Sequence, residues 1–268
     1  MTKQSSLLVK PARSHGLVSE VTPESADWTY VGFQVYRLAK GESVTDHLAD
    51  RETCLVWLTG TGKASAGETN YGVMGGRKSV FEGEPAALYV PANCPWAVTA
   101  ETDLELAICT APGNPGSGPP RAILPTDLSK ETRGKGSNTR YVTNILPEDQ
   151  PADSLLVVEV ITPAGHSSSY PPHKHDVDNL PEETLLEETY YHRLNPPQGF
   201  AFQRVYTDDR SLDEALAVED GDVVMVPRGY HPCAACHGYD LYYLNVMAGP
   251  KRMWKFNNAK EHEWLLEA

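Results

Sequence analysis

The sequence predicts an all-β protein, a sandwich or a barrel. Two observations carry this. Short segments rich in aliphatic, β-branched and aromatic residues recur along the chain while helix signals are scarce, and 21 glycines with 21 prolines among 268 residues force frequent turns. With 40% hydrophobic residues, the chain can fill the core of one large domain or two of ordinary size.

In the first half, strands are expected over 28–38 (WTYVGFQVYRL), 53–58 (TCLVWL), 86–90 (AALYV) and 104–109 (LELAIC). Residues 111–120 read APGNPGSGPP, which suits neither a helix nor a central strand, so a linker or exposed loop is expected there. The chain stays polar to about Arg140, which sets the expected domains at 1–115 and 141–268 with a linker over 116–140. In the second half, strands are expected over 154–161, 188–193, 199–206, 222–226 and 240–247, most of them bounded by Gly, Pro, Asn or Asp. The halves read as distant copies. Gly41, His47, Glu52, Gly60 and the turn 91–96 of the first answer to Gly165, His173, His175, Glu188, Gly199 and the turn 227–231 of the second.

A net charge of −13, from 23 basic and 36 acidic residues, argues against sequence-independent nucleic-acid binding and against docking on anionic lipid. The N-terminus carries basic residues but no continuous apolar segment, so neither a signal peptide nor a membrane span is expected. Five cysteines without a secretion signal suggest free thiols in a cytoplasmic protein.

The chemistry concentrates in the second half. His173 and His175 flank Lys174, and residues two apart on a strand share a face. Tyr170-Pro171-Pro172 ahead of them favours extended chain. The turn Pro227-Arg228-Gly229-Tyr230 delivers His231 directly after an apolar strand. Three imidazoles and one carboxylate suit a first-row divalent ion. The carboxylate is Glu187 or Glu188, which lie on opposite faces of one strand; Glu182 and Glu183 are expected in the connecting loop, solvated or facing substrate. Lys174 points away from its flanking histidines on a regular strand. Arg204 shares a face with Phe200, Phe202 and Tyr206. It clamps a substrate carboxylate or pairs with Asp208, Asp209 or another acid. Arg228 is a second clamp candidate. Cys233-Ala234-Ala235-Cys236-His237 spells a haem-attachment pattern, but without an export signal it reads as a loop beside the metal site, with His237 a candidate to line the pocket.

These residues resemble the cupin motifs G-x5-H-x-H-x3-4-E-x6-G and G-x5-P-x-G-x2-H-x3-N. Gly221, Pro227 and Gly229 fit the second motif, with His231 one position early and no Asn at the expected place after it. His173 and His175 fit the first, with Gly165 two residues too far upstream and the Glu delayed by the insertion DVDNLPEETLLE. The motif's spacing from Glu to a turn residue matches Glu188 to Asn195 and favours Glu188 over Glu187. The runs PPHKHDVDN, LEETYYHRLNPPQGFAFQRVYTDDRSLDE, DGDVVMVPRGYHP and GYDLYYLNVMAGP are similar to the family of 5-deoxyglucuronate isomerases of myo-inositol catabolism, itself related to the 4-deoxy-5-threo-hexosulose-uronate ketol-isomerase of pectin breakdown.

The resemblance implies two tandem cupin domains (double-stranded β-helix, jelly-roll) with metal only in the C-terminal one. In the first half only His47 survives of the His pair, and Trp96 stands where the last His would fall. It further implies conversion of 5-deoxy-D-glucuronate to 5-dehydro-2-deoxy-D-gluconate through a metal-stabilised enediolate. The ion would be zinc or manganese foremost, with iron, cobalt and nickel also suited to the ligand set. Glu187, Tyr191 and Tyr243 are the candidates to move the proton. A small uronate is the implied partner, in a homo-oligomer with exposed strand edges. The competing readings are an iron-dependent cupin dioxygenase and a non-catalytic sugar-binding cupin.

Overall fold

A computed structural model describes residues 5–267. Strands dominate, and helix is confined to short pieces such as Pro23–Ala26 and the 3-10 turn Lys260–Leu266. The expected strands are present as Gly32–Leu38, Arg51–Thr59, Ala86–Val90, Leu104–Pro112, Leu156–Thr162, Glu187–Asn195, Phe200–Tyr206, Val223–Val226 and Asp240–Ala248. Among those not foreseen are Thr61–Ala66, Thr69–Gly75 and Ser129–Arg133. The last, SKETR, has no buried residue, because a strand at the edge of a sheet needs no apolar side chain to hold its hydrogen bonds.

The chain divides into two compact units. One comprises Pro11–Ser129 with Asn144–Val157; the other comprises Lys130–Thr143 and Val158–Ala268 together with the described residues before Pro11. The stretch expected as a linker, 116–140, is therefore built into structure: Arg121–Ile123 pairs with Ala86–Val90, and the chain from Lys130 belongs to the second unit. Gly/Pro-rich composition marks only its beginning.

The first unit holds a six-stranded sheet in the order Arg121–Ile123, Ala86–Val90, Arg51–Thr59, Leu104–Pro112, Gly32–Leu38, Gly16–Val21. A four-stranded sheet, Ser43–Asp46, Trp96–Ala100, Thr61–Ala66, Thr69–Gly75, packs against it. Between them lies an apolar core that includes Leu55, Trp57, Leu88, Val98 and Leu106. Trp96, at the position of the missing histidine, is part of that core, and His47 is exposed with its Nε2 2.9 Å from Asn93 Oδ1. The fully buried Glu52 carboxylate accepts from Tyr89 Oη at 2.7 Å and from the backbone N–H groups of Asp153, Ser154 and Leu155 at 2.8, 2.6 and 2.6 Å. Four donors offset the cost of burying that charge and anchor the returning segment 144–157 to this unit.

In the second unit, Val223–Val226, Glu187–Asn195 and Asp240–Ala248 lie side by side, and Leu8–Val9 from the start of the chain pairs with Val223–Val226. Facing them is a four-stranded sheet in the order Ser167–Ser168, Cys233–Ala235, Phe200–Tyr206, Asp213–Glu219. Cys233–Ala235 is thus a strand, where a loop was expected, because its backbone pairs on both sides. All five cysteines are free thiols.

Candidate metal centre

The pleat of Glu187–Asn195 decides which side chains enter the second unit's interior. Its neighbour sets the register: Glu188 lies opposite Met247, Tyr190 opposite Asn245 and His192 opposite Tyr243. Directly opposed antiparallel residues share a face. Glu188, Tyr190, His192, Tyr243 and Asn245 therefore converge, while Glu187, Thr189 and Tyr191 point the other way. Tyr190 confirms the direction, with its ring centroid 5.8 Å from His231 and 4.9 Å from Tyr243.

His173 sits on the two-residue strand His173–Lys174, paired with Asn257–Asn258, and His175 follows it. Lys174 turns outward and bonds Asp176 Oδ1 at 2.6 Å and Glu183 Oε1 at 3.0 Å. Asp176 Oδ2 in turn accepts from Gly229 N at 2.9 Å. This network ties the segment bearing His173 and His175 to the turn that delivers His231. Glu183 is buried within it, at 3% exposure, where a solvated or substrate-facing residue was expected; Asn257 Nδ2 and the Asp176 N–H also donate to it. Gly229 has φ of 89°, and a Cβ there would strike the carbonyl oxygen of Tyr206, so glycine is required for this close approach.

The result is a buried group of three histidines, His173, His175 and His231, whose ligand nitrogens all lie within 4.8 Å of one another. Glu188 borders it, with Oε2 3.0 Å from His175 Nε2 and 3.3 Å from His231 Nε2. Asn245 Nδ2 donates to the other oxygen of Glu188 and orients the carboxylate.

Hydrogen bonding tests whether this group fits a cation. His175 Nδ1 lies 3.1 Å from the Leu186 carbonyl and His231 Nδ1 2.8 Å from the Gly229 carbonyl. Carbonyls only accept, so both Nδ1 atoms carry a proton, and each ring presents a lone pair on Nε2 while it is neutral. Those lone pairs face a carboxylate oxygen, and the buried Nε2 of His231 has no hydrogen-bond partner. A proton on His175 Nε2 satisfies its contact with Glu188 but leaves His231 Nε2 unpaired, whereas a divalent ion would take up the donor set at hand, that nitrogen included.

The three imidazoles differ in their electrostatics. Burial, and then repulsion from His231 and His175, holds His173 well below the ordinary histidine range. Burial lowers His231 to about 4. Burial also opposes charge on His175, yet its hydrogen bond to Glu188 shifts it upward on balance. The two imidazoles differ because Glu188 hydrogen-bonds His175 and only approaches His231.

Of the other expected site residues, Tyr243 lines the interior, with its hydroxyl 2.5 Å from Ser168 Oγ. Glu187 and Tyr191 do not reach the group, because the pleat turns them to the opposite face. Arg204 is no clamp on this face: it forms a two-pronged pair with Asp213, both contacts at 2.8 Å, and stacks over Tyr206 on the outer surface, where Phe200 and Phe202 are also exposed. Arg228 and His237 are exposed, and Arg228 reaches Ser211 Oγ at 3.5 Å and lies near Asp209.

Sequence reasoning missed Asn245, Tyr190, Arg133 and Arg140. Alternation along 240–248 places Asn245 on the face of Tyr243, a signal that could have found it. The two arginines lie in the segment taken for a linker. Both line a narrow crevice together with His173, Glu188, Tyr190 and Tyr243.

Packed β-sheets around a buried three-histidine group with an adjoining carboxylate define an all-β protein with a candidate metal centre. Residues 7–265 match the KduI/IolB family, and the chain belongs to it. A 5-deoxy-glucuronate isomerase of Geobacillus kaustophilus is 55% identical, over 98% of this chain and 96% of its own. One from Bacillus subtilis strain 168 is 50% identical, over 98% and 99%. The crystal structure of an IolB-like protein from Salmonella typhimurium LT2 is 52% identical, with a TM-score of 0.96 over 98% of this chain and 100% of that one. An oxalate decarboxylase of Lactobacillus farciminis, 13% identical, shares the fold with a TM-score of 0.69 over 100% of this chain and 92% of that one.

Proposed function

We propose that this chain is an aldose–ketose isomerase that converts 5-deoxy-D-glucuronate into 5-dehydro-2-deoxy-D-gluconate. The observation that carries the reading is the buried His173, His175, His231 and Glu188 constellation in a chain about half identical, over nearly its whole length, to proteins named for that activity. These four residues would hold a divalent ion, zinc or manganese foremost. Such an ion, when bound, acts as a Lewis acid that polarises the substrate's oxygens and stabilises developing negative charge.

The reaction moves one hydrogen from the carbon beside the aldehyde to the aldehyde carbon, and one hydroxyl proton between the two oxygens. Burial raises the Tyr243 and Tyr190 hydroxyls above their ordinary range, so both are neutral donors at physiological pH. Tyr243, held by Ser168, is the residue assigned to carry the hydroxyl proton, a reading supported by its facing the group, as Glu187 and Tyr191 do not. Asn245 keeps Glu188 turned toward the imidazoles, and the walls contributed by Tyr190 and His173 limit water.

The reading extends to two tandem cupins, with the first unit structural. It also includes a cytoplasmic, homo-oligomeric protein, supported by free cysteines and by the exposed Phe200 and Phe202. Among the described residues, no helix is long and apolar enough to cross a membrane. The test is to load the purified protein with zinc, manganese, iron or cobalt and follow 5-deoxyglucuronate by proton NMR, with oxygen uptake recorded alongside. Ketose formation without oxygen consumption is expected. Failure with every metal would sink the assignment, and oxygen uptake would replace it with an oxygenase.

A further inference from the structure

The largest cavity beside the candidate metal centre has a volume of about 1030 Å³. His173 lies in its wall, and so do Arg133, Lys135 and Arg140. Among the described residues, its lining contains the cations of Arg133, Lys135 and Arg140 and no carboxylate, in a chain whose net charge is −13. Positive charge concentrated in a low-dielectric cleft focuses the field on an anion.

Arg140 is only partly exposed, and its hydrogen-bond partners are neutral. Its Nη1 donates to Asn138 O at 3.0 Å and to Asn138 Oδ1 at 3.1 Å. No ion pair among the described residues uses it, so most of its five N–H donors remain for a ligand. Arg133 lies over the Trp254 ring, 5.0 Å from its centroid, and reaches Glu131 at 2.6 Å. That glutamate is on the outer strand and 41% exposed, so the pair is screened by solvent.

The turn between the two arginines is built for position. Gly134 has φ of 76°, and a Cβ there would collide with the Asn138 carbonyl. Asn138 Nδ2 donates to Tyr170 O at 2.9 Å, and the Thr139 carbonyl accepts from His166 Nδ1 at 2.9 Å. Both arginines also line the inner crevice that reaches Glu188 and Tyr243.

We infer that Arg140, assisted by Arg133, is the carboxylate-binding subsite of this cavity. It holds the acid end of an open-chain uronate so that the carbonyl end reaches His173 and Glu188. The assignment rests on the isomerase reading for the identity of the acid, though the subsite's preference for a carboxylate is measurable without turnover. A planar guanidinium grips a carboxylate through two parallel hydrogen bonds, which a neutral amide cannot match.

The experiment titrates the metal-loaded protein with two probes by calorimetry: borohydride-reduced 5-deoxyglucuronate, which keeps the carboxylate and lacks the aldehyde, and its primary amide. The wild type is expected to bind the acid roughly 10- to 100-fold more tightly than the amide. Arg140→Gln should erase that preference while leaving amide affinity and circular dichroism unchanged, Arg133→Gln should reduce it, and Arg140→Lys should retain part of it. Equal binding of acid and amide by the wild type, no binding of either, or a preference that survives Arg140→Gln would each overturn the subsite. Wild-type turnover of 5-deoxyglucuronate, measured separately, decides the isomerase reading by itself.

Discussion

Replacing Glu188 by Gln separates it sharply from its neighbour Glu187. Glu188 is almost fully buried, borders His175 and His231 at 3.0 and 3.3 Å, and has its other oxygen fixed by Asn245. The substitution keeps the shape but removes the carboxylate that, among the described residues, is placed against those two imidazole nitrogens. Loss of a group that merely orients a ligand weakens metal binding by about 10- to 100-fold. Loss of the ligand's charge itself should exceed that, so at least a ~100-fold weakening is expected for Glu188→Gln. Asn245→Ala should fall in the 10- to 100-fold range, since it only orients the carboxylate. Glu187→Gln should leave affinity unchanged, because the pleat turns Glu187 away. At free metal about 1,000 times the wild-type Kd, binding stabilises the folded state by ~4 kcal/mol; a 100-fold weaker site retains ~1.4 kcal/mol. The difference is a fall in Tm of roughly 5 to 10 °C for a chain of this size. The assay is competition against a chromophoric chelator, with metal content by mass spectrometry and thermal denaturation with and without metal. Full metal affinity in Glu188→Gln, or equal loss in Glu187→Gln, would refute the parity argument on which the site is built.

Two further predictions follow from neighbouring residues. Tyr243→Phe should lower kcat on the order of 100-fold with metal content unchanged, as expected for loss of a positioned proton carrier; wild-type kcat in this variant would remove Tyr243 from the chemistry. His192 is fully buried, and burial lowers it from 6.5 to about 4 while its Nε2 donates to Gln203 Oε1 at 2.8 Å. Its folded-state value is depressed, so its stabilising contribution is complete above pH 6.5 and is lost as pH falls toward 4. Between pH 7 and pH 5 the metal-free wild type should lose about 2 kcal/mol more stability in urea than metal-free His192→Gln. Parallel pH profiles for the two proteins would contradict a neutral buried His192.

What the sequence made legible is what strand periodicity and burial force together. The apolar runs 53–58, 86–90 and 240–247 appear as strands because each buries nearly all its residues. Parity on 187–195 put Glu187 and Glu188 on opposite faces, and motif spacing then selected the inward one. Parity alone cannot say which face is inside. Along 200–206 it grouped Arg204 correctly with Phe200, Phe202 and Tyr206, but the two phenylalanines suggested an interior that the structure places outside, and Asp213 on the adjacent strand satisfies the arginine. The carboxylate subsite was hidden for the converse reason. Edge strands and tight turns are polar, so 129–140 has the composition of a linker while its backbone holds Arg133 and Arg140 beside His173. A metal cage must be buried and leaves a periodic trace in the strands that bury it. A substrate-binding wall must stay open to solvent, and its residues are therefore written in the same letters as ordinary surface.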